Sequence, residues 1–135
     1  MKLFNHFKPV VKKSAKAQKP LPRPVPLDFP DEIATAKAYI DENYARDISV
    51  KDIADYICFS ESWLTRNFSL KYGISPKQYV LQKRILKATE LLTDTHMTSA
   101  AISRATGFSS PGRFNDIFRK FTGTTPLEFR KAQKN

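Results

Sequence analysis

A chain of 135 residues that is 41% hydrophobic can bury one core, or two small ones sharing a wall, which excludes a large multidomain core. Its 23 Lys and Arg against 13 Asp and Glu leave a formal charge of +10, a surplus that points either to an anionic polymer or surface as partner or to a merely solubilising exterior. Cys58 is the single cysteine and His6 and His96 are the two histidines, so an internal disulfide is excluded and neither a metal site nor a cofactor is expected. No apolar run approaches the ~20 residues of a membrane span and no signal-peptide core follows the basic start, so a cytoplasmic protein with no membrane partner is expected.

The charge is unevenly placed. Residues 1–30 hold seven Lys and Arg against Asp28, residues 31–97 hold nine against ten acids, and residues 98–135 hold seven against two. Six of the nine prolines also fall in residues 1–30, among them Pro20, Pro22, Pro24 and Pro26, with five lysines from Lys8 to Lys19. Alternating prolines are incompatible with helix and sheet, so this segment is expected as a disordered basic arm, either an inert tether or a weak electrostatic helper. Its apolar start, Leu3 to Val11, leaves open a contact with a partner or a membrane surface.

From Asp31 the pattern becomes helical. Asp31 and Glu32 open a first helix at its positive end, with Ile33, Ala36, Ala38, Ile40 and Tyr44 as its buried face and an end near Ala45. Ser49 caps a second, short helix with Val50, Ile53, Ala54 and Ile57 facing inward. Ser60 begins a third, with Trp63 or Leu64 and then Phe68 and Tyr72 inward, stopped by Gly73. The second and third are separated by Cys58-Phe59-Ser60, a helix-turn-helix spacing. Ser75 and Pro76 then start a long helix to about Asp94, striped by Leu81, Ile85, Ala88 and Leu92 and widened by Val80, Leu86 and Leu91. From Pro76 to Thr93 it measures roughly 27 Å, near the ~34 Å turn of duplex DNA, a length suited to spacing two reading heads.

After the long helix the pattern returns. Thr98, Ile102 and Phe108 repeat Ser49, Ile53 and Phe59 at an offset of 49. With one residue added in the second turn, Ser110, Phe114, Phe118, Gly123, Pro126 and Phe129 repeat Ser60, Leu64, Phe68, Gly73, Pro76 and Tyr79 at 50. Caps, core positions, terminators and following prolines all match, which defines a tandem repeat of one supersecondary unit, its second copy closing with a helix from Pro126 to Gln133. Cys58 occupies the place of Gly107, at a turn where positive φ is wanted, and is expected as a partly buried thiol rather than a redox switch. His96 is expected as a loop residue.

These residues resemble the DNA-binding domain of the AraC/XylS family of bacterial transcription regulators. In the second half the resemblance is carried by Ile102, Gly107-Phe108-Ser109-Ser110, Phe114, Phe118, Gly123, Thr125-Pro126 and Phe129-Arg130. In the first half it rests on Ile53-Ala54, Ser60, Leu64, Arg66, Phe68, Gly73, Ser75-Pro76, Tyr79 and Arg84, with Ala88 and Leu91-Leu92 between. It implies an all-α fold of about seven helices over residues 31–135, with a first unit at 31–74, a linker helix at 75–94 and a second unit at 95–135. It also implies insertion of the third and sixth helices into successive major grooves, and activation through RNA polymerase. Family members of greater length carry a further effector or dimerisation domain, so the chain is expected as a short stand-alone regulator or a fragment.

The expected interface follows from helix geometry. A helix N-terminus with short polar side chains enters a major groove and aims its amides at phosphate. In the first unit, Ser60 caps the reading helix, and Glu61, Ser62, Thr65 and Arg66 face outward, with Arg66 as leading guanine reader. Trp63 either reaches the bases or turns inward, and the alternative for Arg66 is a solvated arginine. In the second unit, Pro111 and Gly112 open the helix and Asp116 stands where Arg66 stands in the first. Asp116 must accept from cytosine or pair with Arg113 or Arg119 to escape phosphate repulsion. Arg113 and Asn115 remain as base readers, and Arg104, Ser110, Gly112, Arg119 and Lys120 as backbone contacts, or else as a solvated basic face. The expected function is a sequence-specific regulator binding double-stranded DNA as a monomer; the alternative is a protein-interaction or nonspecific DNA-coating module. No paired carboxylate, activated nucleophile or phosphate loop suggests an enzyme.

Overall fold

Short polar side chains set the start of each helix. The computed structural model describes residues 31–134; the expected basic arm, residues 1–30, lies outside the described residues. Among the described residues the elements are α1 (Glu32–Asn43), α2 (Val50–Ile57), α3 (Glu61–Tyr72), α4 (Pro76–Asp94), α5 (Ser99–Ala105), α6 (Pro111–Thr122) and α7 (Pro126–Gln133), with no strand. Asp31 accepts from the amides of Ile33 and Ala34 at the head of α1. Ser49, Ser60, Ser75, Thr98, Ser110 and Thr125 each accept from the amide three residues on, satisfying donors that a helix start otherwise leaves orphaned. Gly73 and Gly123 end α3 and α6.

The chain divides into two units. The first holds α1, α2, α3 and the opening turn of α4. Its core is Ile33, Ala36, Tyr39 and Ile40 from α1, Ile53, Ala54 and Ile57 from α2, and Leu64 and Phe68 from α3. The inner face of α1 differs from the expected one. Ala38 and Tyr44 are half-buried, and Tyr39 and Asn43 take their place, because the 3,4 spacing from Ile33 and Ala36 passes through 39, 40 and 43. Asn43 closes α1 two residues earlier than Ala45, its side-chain amide donating to the Tyr39 carbonyl at 2.9 Å. The inward residue of α3's first turn is Leu64, not Trp63. Tyr79 packs at 5.7 Å from Phe68 and donates its hydroxyl to Asp41 at 2.5 Å, which also pairs with Lys37 at 3.3 Å.

The second unit contains residues 44–47 and everything from Val80 onward. Leu81, Ile85, Ala88 and Leu92 of α4 form the expected stripe and meet Ile102, Phe108, Phe114, Ile117 and Phe118 in a single cluster, flanked by Leu91, Met97 and Phe129. Leu86 does not widen the stripe. It is 54% exposed, turned about 100° from Ile85 by the helical step. Phe108, Phe114, Phe118 and Phe129 run through the core as successive ring contacts at 5.2, 5.7 and 5.6 Å.

The two helix-turn-helix turns share a left-handed residue but fill it differently. Cys58 has φ 65° and is the one non-glycine with positive φ among the described residues; Gly107 has φ 98°. The Cys58 thiol is exposed, so the expectation of partial burial is corrected: the left-handed turn points its side chain to solvent. At Gly107 a Cβ would stand 2.9 Å from Arg84 Nε and 3.1 Å from the carbonyls of Tyr44 and Ala45, so glycine is required there by space as well as by φ. Cys58→Gly is therefore expected to stabilise the protein by about 1 kcal/mol through relief of the left-handed penalty. Gly107→Ala should destabilise it by more than about 1 kcal/mol, both changes being read from urea unfolding curves.

Candidate nucleic-acid interface

The outward face of α3 is set by its inward one. Leu64 and Phe68, one turn apart, are fully buried, which leaves Glu61, Ser62, Thr65 and Arg66 exposed on the other side. Ser60 is committed to the cap, its hydroxyl accepting from the Trp63 amide at 3.0 Å, so the helix start is held in a defined position. Among the described residues no hydrogen bond or ion pair engages the Arg66 guanidinium. Three lysines of the same unit contrast with it: Lys37, Lys51 and Lys71 are paired with Asp41, Asp55 and Asp31. Trp63 is neither core nor free. It is half-buried and lies flat on Phe59, ring centroids 4.0 Å apart and planes inclined by 26°.

In the second unit Phe114, Ile117 and Phe118 pin α6, and Pro111, Gly112, Arg113, Asn115, Asp116, Arg119 and Lys120 are exposed. Ser110 accepts from the Arg113 amide at 3.1 Å and, like Ser60, serves as a cap. Arg104 is exposed on α5. A Cβ at Gly112 would meet nothing within 4 Å, so the glycine answers no need of the unit's own packing. Asp116 gains no ion pair from Arg113 or Arg119 among the described residues, leaving its charge unscreened by the route expected. Arg113 is near enough to Arg84 for their like charges to act on each other.

Two arginines that the repeat did not assign turn out to be structural. Arg84 Nε donates to the Tyr44 carbonyl at 2.7 Å and Nη2 to that of Arg46 at 3.0 Å, while its guanidinium carbon lies 5.8 Å from the Phe108 ring centroid. Burial pushes its pKa below the usual arginine value, opposed by the Asp47 carboxylate. Arg130 treats the end of α4 similarly, donating to Leu92 at 3.0 Å and Thr95 at 3.1 Å. Both bring a cation to carbonyls left orphaned at or just beyond a helix end. They fall out of the repeat register, since the offset of 50 pairs Arg130 with Val80. Arg84→Met keeps much of the apolar stem and removes the donors, and should cost about 1.5–3 kcal/mol in chemical unfolding; a loss below about 0.5 kcal/mol would show that the carbonyls find water instead.

Two successive units, each presenting a capped helix pinned from behind by paired large side chains, define a tandem helix-turn-helix protein. A helix-turn-helix domain profile matches residues 53–132. The chain belongs to the AraC-type family of helix-turn-helix transcriptional regulators. The arabinose operon regulatory protein of Escherichia coli (strain K12) is 33% identical over 106 residues, covering 78% of this chain and 36% of that protein. The C-terminal domain of AraT, a response regulator from Geobacillus stearothermophilus, aligns with a TM-score of 0.74 at 25% identity, covering 76% of this chain and 85% of that one. The DNA-binding domain of the global transcriptional factor AdpA, solved in complex with a target DNA, aligns with a TM-score of 0.74 at 26% identity, covering 77% and 94%. The chain spans about a third of the length of the curated relatives it matches, 32% to 39% for four of them.

No group of three or more His, Cys, Asp and Glu that could hold a metal ion occurs among the described residues. No described helix is long and apolar enough to cross a membrane.

Proposed function

We propose that the chain binds double-stranded DNA sequence-specifically, as a monomer, and regulates transcription in the bacterial cytoplasm by binding rather than by catalysis. The observation that carries this is Arg66: an exposed guanidinium without an acidic partner, one turn from Ser62 and beside Thr65, on a helix whose start is fixed by Ser60 and whose back is fixed by Leu64 and Phe68. In a major groove that arrangement donates two hydrogen bonds to guanine O6 and N7, while Ser62 and Thr65 supply shorter polar or methyl contacts. The sixth helix enters a successive groove with less to read. Gly112 permits close backbone approach, Asn115 and Arg113 are its base-reading side chains, and Asp116 meets a cytosine N4 amino group. Arg104, Arg119 and Lys120 hold phosphates, with the Ser60- and Ser110-capped helix starts directing amides the same way. By family resemblance, the bound protein contacts RNA polymerase and activates.

With about 6–10 phosphate contacts, affinity should fall by roughly 10³–10⁵ between 50 and 200 mM salt; a flat profile would remove DNA as the partner. Arg66→Ala should cost about 1–3 kcal/mol on the preferred duplex and relax the choice of one base, whereas Lys120→Ala should weaken all duplexes alike and reduce the salt slope by about one. Uniform weakening by both would instead indicate nonspecific coating. Gly112→Ala separates binding from folding. It should stabilise the free protein by up to about 1 kcal/mol and yet weaken its complex with DNA, and a variant that gains in both would place no backbone close to that position.

A further inference from the structure

Beside the polar arc of α3 lies an apolar feature that the arginine reading leaves unused. Phe59, in the turn before α3, and Trp63, in its first turn, are stacked at 4.0 Å and both stay half-buried. The stack is not part of the first unit's core, which Leu64 and Phe68 close with no exposure on the other side of the helix. Nor does the second unit repeat it. Phe108, the counterpart of Phe59, is 6% exposed and packs 5.2 Å from Phe114, and the counterpart of Trp63 is Arg113. A stacked pair of large rings is therefore held at the water boundary in the first unit, and the equivalent positions of the second unit form no such pair. Each ring limits the other's rotation, so a partner that covers them removes little further side-chain freedom. Trp63 follows Ser62 directly and lies one turn before Arg66, which makes the plate the flank of the arc that carries the polar readers.

We propose that the Phe59–Trp63 plate selects a thymine by its 5-methyl group, at a base pair next to the one Arg66 reads. The inference rests on the reading that α3 enters a major groove. Among the base edges displayed there, the thymine methyl is the apolar group, and cytosine presents an amino donor nearby that an indole face does not accept well. Covering one methyl is worth about fourfold in affinity.

The operator need not be identified for the test. Duplexes enriched from a random pool by the full chain are remade with each thymidine replaced in turn by deoxyuridine, which deletes the methyl alone, and affinities are measured at fixed salt. Deoxyuridine at one or two positions, adjacent to the guanine whose replacement the Arg66→Ala protein no longer senses, is expected to weaken binding about fourfold at each. Trp63→Ala should be indifferent to those same replacements while still sensing the guanine, and Trp63→Phe should keep part of the response. A scan in which no deoxyuridine matters to the unmodified protein overturns the proposal whether or not the variants fold. So does an undiminished methyl response in Trp63→Ala, or a uniform weakening by it across all duplexes, which would assign the rings to the sugar–phosphate backbone. A pool from which no sequence is enriched would sink the sequence-specific reading itself, and this one with it.

Discussion

Paired large side chains one turn apart hold the second helix of each helix-turn-helix by its back. Leu64 and Phe68 in α3, and Phe114 and Phe118 in α6, are buried to zero exposure. A helix held at i and i+4 has little freedom to roll, so its opposite arc is presented in a fixed orientation. The serine caps at positions 60 and 110 fix the same helices at their starts. The outward features of both helices follow from this: the exposure of Ser62, Thr65 and Arg66, the placement of Trp63 at the flank, and the open space around Gly112.

Cationic side chains divide into three kinds that composition cannot separate. Lys37, Lys51, Lys71 and Lys87 are paired with acids on the surface. Such pairs contribute little to stability, but they cancel charge that would otherwise reach a polyanion. Arg84 and Arg130 are drawn into the protein to satisfy backbone carbonyls, where a planar fork of donors suits two acceptors at once. Arg66, Arg104, Arg113, Arg119 and Lys120 remain exposed and outside any hydrogen bond or ion pair of their side chains among the described residues. The positive surplus of residues 98–135 thus overstates what that unit offers an external anion, because Arg130 is already engaged.

One frame carries two unlike faces. The first unit sets a polar triad and a stacked aromatic pair on a nearly neutral body. The second sets glycine and aspartate where the first has serine and arginine, on a basic body. Even the turns diverge: Cys58 bears a strained left-handed backbone beside solvent, whereas Gly107 lies against Arg84 and two carbonyls and has no room for a side chain. Duplicated cores with independent surfaces are what a helix-turn-helix pair needs if each head is to meet different bases.

By itself the sequence determined the helices, the duplication and the outward faces of α3 and α6. Caps, prolines and terminating glycines act through the backbone within four residues, and α2 through α7 begin and end close to where those signals stand. The 3,4 spacing of Leu64 with Phe68, and of Phe114 with Phe118, likewise placed the exposed arcs independently of any packing. What only tertiary structure decided are matters of which neighbour comes close. The partners of Arg84 and Arg130 lie 35 to 40 residues away and are backbone carbonyls, which leave no trace in side-chain pattern. Leu86 falls outside the core because hydrophobicity does not say how wide a core is, and the surrounding helices do. The position of Phe59 was hidden for the same reason: an aromatic at a turn reads alike whether it fills a core, as Phe108 does, or stacks at the boundary on Trp63, and the choice depends on how much space the other helices have already filled.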